Sequence, residues 1–336
     1  MKYFKMSFII TVIGVILAFL WGLRIDLQTG LSYSLLALFL GVLEVSLSFD
    51  NAVINATKLE LMPKIWQRRF LTWGILVAVF GMRLIFPIVL VSIFAGINLL
   101  ETVKLALFDG LAYSHHLESC NNLISMFGGS FLLMIFLTFI FDKEKETHWL
   151  PGEKHYIKLI NGWNLTWPLL IYMTILVTIL NISPKNVQSI LAFSSISGVA
   201  LFIVIDKLSE FILKGEEKLI KHAGVVLFLY LELIDASFSF DGVIGAFALS
   251  KDIVLIAIGL GIGAMFVRSL TIYLVDKKTL KEFIYLEHGA HWAIGALAII
   301  MFMDTFIKVP EVITGLIGVG FIGASLYSSI KHKQVA

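Results

Sequence analysis

Two short stretches of the chain carry the residues able to do chemistry. Glu44, Ser46, Ser48, Phe49, Asp50 and Asn51 recur 191 positions later as Asp235, Ser237, Ser239, Phe240, Asp241 and Gly242. A further acid, Glu232, stands one helical turn before Asp235, on the same face. Each stretch lies in an apolar run, and a lone arginine follows in the next such run, Arg83 after the first copy and Arg268 after the second. Acids within apolar spans are rare and costly. The bland alternative, two unrelated helices that happen to carry Ser and Asp, requires that rarity twice at one spacing.

The chemistry on offer is cation binding. The carboxylates of Glu44, Asp50, Glu232, Asp235 and Asp241, the Asn51 amide and the hydroxyls of Ser46, Ser48, Ser237 and Ser239 form an all-oxygen donor set. Neither motif contains His or Cys. Such donors suit Mg²⁺, Ca²⁺ and Mn²⁺ and are poor at selecting Zn or Cu. Five acids against Arg83 and Arg268 leave an excess of negative charge that a divalent cation and one carboxyl proton would balance. The two arginines are expected to pair with the carboxylates when no cation does. In an ideal helix, residues six apart point about 120° from one another. A straight helix therefore cannot aim both acids of one motif at one ion. A break is expected near Ser46–Asn51 and near Ser237–Gly242, where Asn51 and Gly242 tolerate unusual backbone angles.

Elements that must position these groups follow from composition. Of 336 residues, 58% are hydrophobic and 15% charged; an ordinary soluble domain has about a quarter charged. The excess of apolar side chains points to a bilayer. A spanning helix needs about 20 predominantly apolar residues. Ten segments answer to that description, near 7–24, 31–56, 70–95, 123–141, 167–182, 188–206, 224–249, 253–275, 290–307 and 311–329. The expected fold is thus an all-α membrane protein of about ten spans. Residues 97–121, with Glu101, Lys104, Asp109, His115, His116 and Glu118, read as an amphipathic or re-entrant segment.

Counting Lys and Arg over ten spans places nineteen on one side and five on the other, with Arg83 and Arg268 inside spans. The excess assigns both termini to the cytoplasm and, with no organelle address, the protein to the plasma (inner) membrane. Five spans separate the motif helices 31–56 and 224–249, which puts them in opposite orientations. An inverted repeat follows, with halves 1–165 and 166–336 in one integral membrane domain, as in secondary transporters. The net charge of +2 gives no reason to expect nucleic acid as a partner; the expected partners are the lipid bilayer and the ion. A single cysteine, Cys120, excludes an intrachain disulfide, and no feature specifies an oligomeric state. Glu287, His288 and His291 cluster at the start of the ninth span, with Glu287 and His291 on one face. A proton or release path there competes with simple interfacial anchoring. No Walker A sequence is present, so no ATP-driven step is expected, and no cofactor is expected to be held permanently.

At Leu43 to Val53, with Glu44 followed six residues later by Asp50 and Asn51, the sequence resembles the TerC family of integral membrane proteins. The stretches Phe127 to Met134, His148 to Leu150 and Tyr285 to Ala290 look like a separate branch of that superfamily. The resemblance implies that Glu44, Asp50, Asn51, Asp235 and Asp241 are ion-site residues, and it brings links with tellurite resistance and manganese efflux. Gly242 stands where the first copy has Asn51, so the second copy departs from the family's Asp-Asn pair. The function expected on this footing is a secondary transporter, not an enzyme. It would export a divalent cation, Mn²⁺ ahead of Ca²⁺ and Mg²⁺, coupled to protons. Two alternatives are an exporter of a small organic solute, which needs a larger and less acidic pocket, and an intramembrane aspartyl protease. The latter would use two Asp as a dyad, but the Gly-x-Gly-Asp element of such enzymes is absent: Ser and Phe precede both Asp50 and Asp241.

Overall fold

A computed structural model describes residues 3–60, 62, 64–143, 145–150, 165–213 and 225–335, the last range without 226, 230, 233–234, 236–241, 244 and 248. All regular structure among the described residues is helical. In chain order the helices are α1 (Lys5–Leu23), α2 (Leu27–Leu47), α3 (Phe49–Glu60) and α4 (Lys64–Leu76), then a π-helical segment (Val77–Ile85) continued by α5 (Phe86–Ala95). There follow α6 (Leu99–Phe108), α7 (Gly110–Ile140), α8 (Thr166–Ile182), α9 (Gln188–Leu213), α10 (Ile253–Asp276), a single turn α11 (Thr279–Glu282), α12 (Leu286–Asp304) and α13 (Glu311–Val335).

Seven of these are long and apolar enough to cross a membrane: α1, α2, α7, residues Gln188–Leu208 of α9, α10, α12 and residues Ile313–Lys333 of α13. The chain is therefore an integral membrane protein. Two further apolar helices, Arg83–Ala95 and Thr166–Ile182, are shorter, and half of the expected span 224–249 lies outside the described residues. The segment 97–121 is not one amphipathic piece. The Asn98 side chain accepts from Leu100 N–H to start α6. The Asp109 side chain accepts from Ala112 N–H at 3.0 Å to start α7. Residues 110–121 thus form the first third of a 31-residue helix.

The chain folds into two compact units, cut differently from the halves of the sequence repeat. One comprises Met1–Cys120 with Leu227–Lys277, the other Asn121–Val226 with Lys278–Ala336. Both motif segments fall in the first unit. There α1, α2 and α10 pack along their lengths because small residues face one another. Gly22 lies against the Gly30 backbone, Gly41 against Ile262, and Gly259 against Leu40 and the Ala37 carbonyl. Glycines four apart on α10, Gly259 and Gly263, make the flat stripe that lets α2 approach. Ala18, Ala37, Leu255 and Ile262 fill the adjoining core, and Leu59, Met62, Phe70, Leu227 and Leu231 form a second core.

In the second unit, Gly198 of α9 sits on the Phe127 backbone of α7, and Phe131 meets Phe202 edge-on at 6.2 Å. Buried hydroxyls join its helices: Ser130 to Ser195 at 2.6 Å, and Ser195 to Tyr172 at 2.9 Å.

Candidate functional site

Helix α2 delivers Glu44 one turn before its end. Ser48, at φ −107° and ψ 18°, interrupts the helix, which resumes at Phe49. The interruption is a kink and not a gap: Ser48 N–H donates to the Glu44 carbonyl at 2.9 Å, and Ala52 N–H donates to Ser48 O at 3.2 Å. The Ser48 hydroxyl donates to Glu44 Oε1 at 2.8 Å. A kink thus stands within Ser46–Asn51, the stretch where a break is expected, but the backbone hydrogen bonds continue through it. Its counterpart at Ser237–Gly242 lies outside the described residues, apart from Gly242 itself.

Arg83 belongs to the π-helical segment. A π turn takes one residue more than an α turn, so it re-aims the side chains that follow. The guanidinium is buried and serves two acids from opposite ends of the sequence: Nη2 pairs with Glu44 Oε1, and Nη1 reaches Asp235 Oδ2 at 3.3 Å. The Asn51 amide donates to Asp235 Oδ1. The equivalent acids of the two motif copies therefore meet on one arginine. Glu44 is fully buried, and its second oxygen, Oε2, has no hydrogen-bond partner among the described residues. Two glycines make room for it. A Cβ at Gly242 would stand 2.8 Å from Oε2, and one at Gly263 would stand 2.6 Å from the Glu44 Cγ.

Beside this cluster, Glu232 faces Arg268 of α10. Glu232 Oε1 lies 3.7 Å from Arg268 Nη2, too far for a hydrogen bond, and neither carboxylate oxygen has a hydrogen-bond partner among the described residues. Both residues are buried. Helix α4 cradles the guanidinium, with the Phe70 ring 4.0 Å beneath it and Gly74 at its edge. A Cβ at Gly74 would also stand 3.1 Å from Glu232 Oε1. Three described carboxylates thus share two guanidinium groups in an apolar setting. A buried charge of this kind is tolerated only with partners.

The structure assembles Glu44, Ser48, Asn51, Arg83 and Asp235, and sets the Glu232–Arg268 pair in the same unit. It leaves Ser46 out: that hydroxyl is exposed and donates to the Val42 carbonyl of its own helix at 2.9 Å. Ser237, Ser239, Asp241 and the side chain of Asp50 lie outside the described residues. Among the described residues no three His, Cys, Asp or Glu side chains gather to hold a metal ion; the acids meet arginines instead.

Glu287, His288 and His291 stand in the other unit, on the first turns of α12. His288 Nε2 bonds the Thr147 carbonyl at 2.9 Å, and His291 Nδ1 bonds the Glu287 carbonyl at 2.9 Å. The His291 ring stacks on Phe139 at 3.6 Å. Both rings thus hold local structure.

Three contributors escaped the sequence reading. Asn55 lies one turn after Asn51, is buried, and its Oδ1 has no hydrogen-bond partner among the described residues; the four-residue interval was its signal. Gly74 and Gly263 act through what they lack, and a single sequence gives no sign of which glycine faces a charged group.

Residues 49–335 match the model of a family described as "Protein of unknown function (DUF475)". No curated protein and no solved structure matches the chain.

Proposed function

We propose that this chain, which belongs to the DUF475 family, is a secondary membrane transporter that exports a divalent cation in exchange for protons. Mn²⁺ ranks ahead of Ca²⁺ and Mg²⁺ as substrate, on the strength of the TerC resemblance. The observation that carries the reading is that Arg83 bridges Glu44 and Asp235, the matching acids of the two motif copies, in one buried cluster. A guanidinium between two carboxylates supplies the positive charge that a transported cation would otherwise supply. Arriving cation would displace Arg83 from Glu44 and Asp235, and departing cation would let it return. This alternation is what a carrier needs, because an empty site with uncompensated buried carboxylates would be too costly to reorient.

The donor chemistry agrees. Carboxylates, the amides of Asn51 and Asn55 and the Ser48 hydroxyl are hard oxygen ligands. Glu44 Oε2 and the Asn55 carbonyl oxygen, neither bonded among the described residues, are two of them. Ten spans in an inverted repeat, termini in the cytoplasm and a place in the plasma membrane belong to this proposal and follow from the sequence pattern. In it, Asp50 and Asp241 serve the two approaches to the central acids.

The test is Mn²⁺ flux into proteoliposomes under an imposed pH gradient, comparing the natural chain with Glu44→Gln, Asp235→Asn and Asp241→Asn. Flux that follows the gradient and falls at least tenfold in each variant is expected. Absence of Mn²⁺, Ca²⁺ and Mg²⁺ flux by well-folded protein would overturn the proposal and favour export of an organic solute.

A further inference from the structure

The first unit carries a groove unrelated to the acidic cluster. It holds about 500 Å³ and is open along one side. Ile10, Ile13, Gly14 and Leu17 of α1 line it, with Leu84, Ile88 and Leu107, and α10 contributes residues from Ile253 to Met265. Every lining side chain is apolar. Ile13 and Leu17 are about half exposed, at 51% and 50%.

The α1 stripe does not stop at the groove. Ile10, Gly14, Leu17, Trp21 and Arg24 succeed one another at intervals of four, three, four and three, which keeps them on one face of the helix. At the upper end Trp21 Nε1 donates to Asp252 Oδ2 at 2.8 Å, and Asp252 is the N-cap of α10. The Arg24 guanidinium carbon sits over the Trp21 ring, 4.0 Å from its centroid, and the residue is exposed. An apolar trough therefore leads to a cation held in place by an aromatic ring that is itself anchored. From Ile10 to Arg24 the helix rises about 21 Å. One leaflet of a bilayer, headgroup included, measures about 20–22 Å.

We propose that this groove is a phospholipid site, with one acyl chain lying along Ile10–Leu17 and the lipid phosphate resting on Arg24. The chemistry matches at both ends. A trough without polar groups gives nothing to a solute from water but fits a hydrocarbon chain, and guanidinium is the preferred partner of phosphate. The cation and the trough stand in the order and at the separation in which a phospholipid presents its phosphate and its chain. Leu84 of the lining adjoins Arg83, so a seated chain braces the π-helical segment from the lipid side.

The site is tested with the full chain in phosphatidylcholine nanodiscs containing a trace of phosphatidylglycerol that bears a photoreactive acyl chain. Labelled peptides are then mapped. Labelling concentrated on α1 between Ile10 and Leu17 is expected, reduced at least fivefold in Leu17→Trp and in Ile13→Trp. Added phosphatidylglycerol is expected to compete about fivefold better than diacylglycerol of the same chains, and Arg24→Gln to abolish that preference. Labelling spread evenly over exposed helix faces, or unchanged in both Trp variants, overturns the site. A preference for phosphatidylglycerol that survives Arg24→Gln overturns the headgroup assignment. None of these readouts depends on transport.

Discussion

Gly263 and Glu44 are packed as backbone against side-chain stem, so closely that a Cβ at position 263 would fall 2.6 Å from the Glu44 Cγ. Glycine here sets the depth at which the carboxylate reaches Arg83. Gly263→Ala must push α2 away or bend the Glu44 side chain. A loss of about 1–3 kcal/mol is expected, as for overpacking generally, together with weaker cation binding. The contrast is Gly320→Ala in α13, where none of the described residues lies within 4 Å of the added methyl. That change is expected to be neutral or to stabilise by up to about 1 kcal/mol, since alanine is the better helix former. Thermal unfolding of both variants in one detergent decides; equal shifts would refute the packing argument.

Arg83 pairs with Glu44 and Asp235 together and offsets one of their two charges. Arg83→Met removes the charge, keeps most of the stem, and leaves two carboxylates facing apolar surroundings. Breaking a buried pair in this way costs about 3–5 kcal/mol. Adding Glu44→Gln and Asp235→Asn to Arg83→Met removes the orphaned charges and is expected to recover at least half of the loss. Stability of the single and triple variants by denaturant titration is the measurement. A triple variant no more stable than Arg83→Met would mean that the arginine acts by packing.

The site was legible in the sequence where charge made it conspicuous. Acids recurring at a fixed interval in apolar runs, each trailed by an arginine, identified the residues that meet in the first unit. Even the kink at Ser48 followed from angular arithmetic on one helix. What could not be read was which side chain partners which. That Arg83 takes Glu44 and Asp235 while Arg268 takes Glu232 depends on the re-aiming of side chains through Val77–Ile85, and no residue type announces a π-helical segment. Ser46 misled because its spacing matched Ser48 in kind but not in direction; two positions on a helix turn a side chain about 160° away. The segment 97–121 misled because its polar residues were averaged over one stretch, whereas Asp109 divides it into the end of one helix and the start of another. The compact units also cut across the repeat, since they are set by packing and not by the recurrence of the motifs.

Ser195 tests how much interhelical hydroxyls contribute in the second unit. Its Oγ is shared between Ser130 and Tyr172 at 2.6 and 2.9 Å, all three in buried surroundings. Ser195→Ala removes one atom and takes this partner from the Tyr172 hydroxyl, while the Ser130 hydroxyl keeps its bond to the Met126 carbonyl at 2.7 Å. The expected cost is about 0.6–2 kcal/mol, the range found for hydrogen bonds between membrane helices. Tyr172→Phe in the same background should then add little. Independent, fully additive losses would show that the three hydroxyls do not form one network.

His288 gives a prediction about what acid will not do. Its Nε2 lies 2.9 Å from the Thr147 carbonyl, and a carbonyl only accepts, so Nε2 must carry the proton. Protonating the ring adds a proton at Nδ1 and leaves the Nε2–H in place. The link between α12 and the stretch around Thr147 is therefore expected to survive acidification. His288→Phe should keep the aromatic contact with Phe139, now edge-on at 5.1 Å, while removing the donor. Protease cleavage in residues 141–150 should rise several-fold in that variant and stay unchanged for the natural chain between neutral and mildly acidic pH. Cleavage that rises on acidification while His288→Phe is silent would place the bond's importance elsewhere and assign the acid response to another group in the loop.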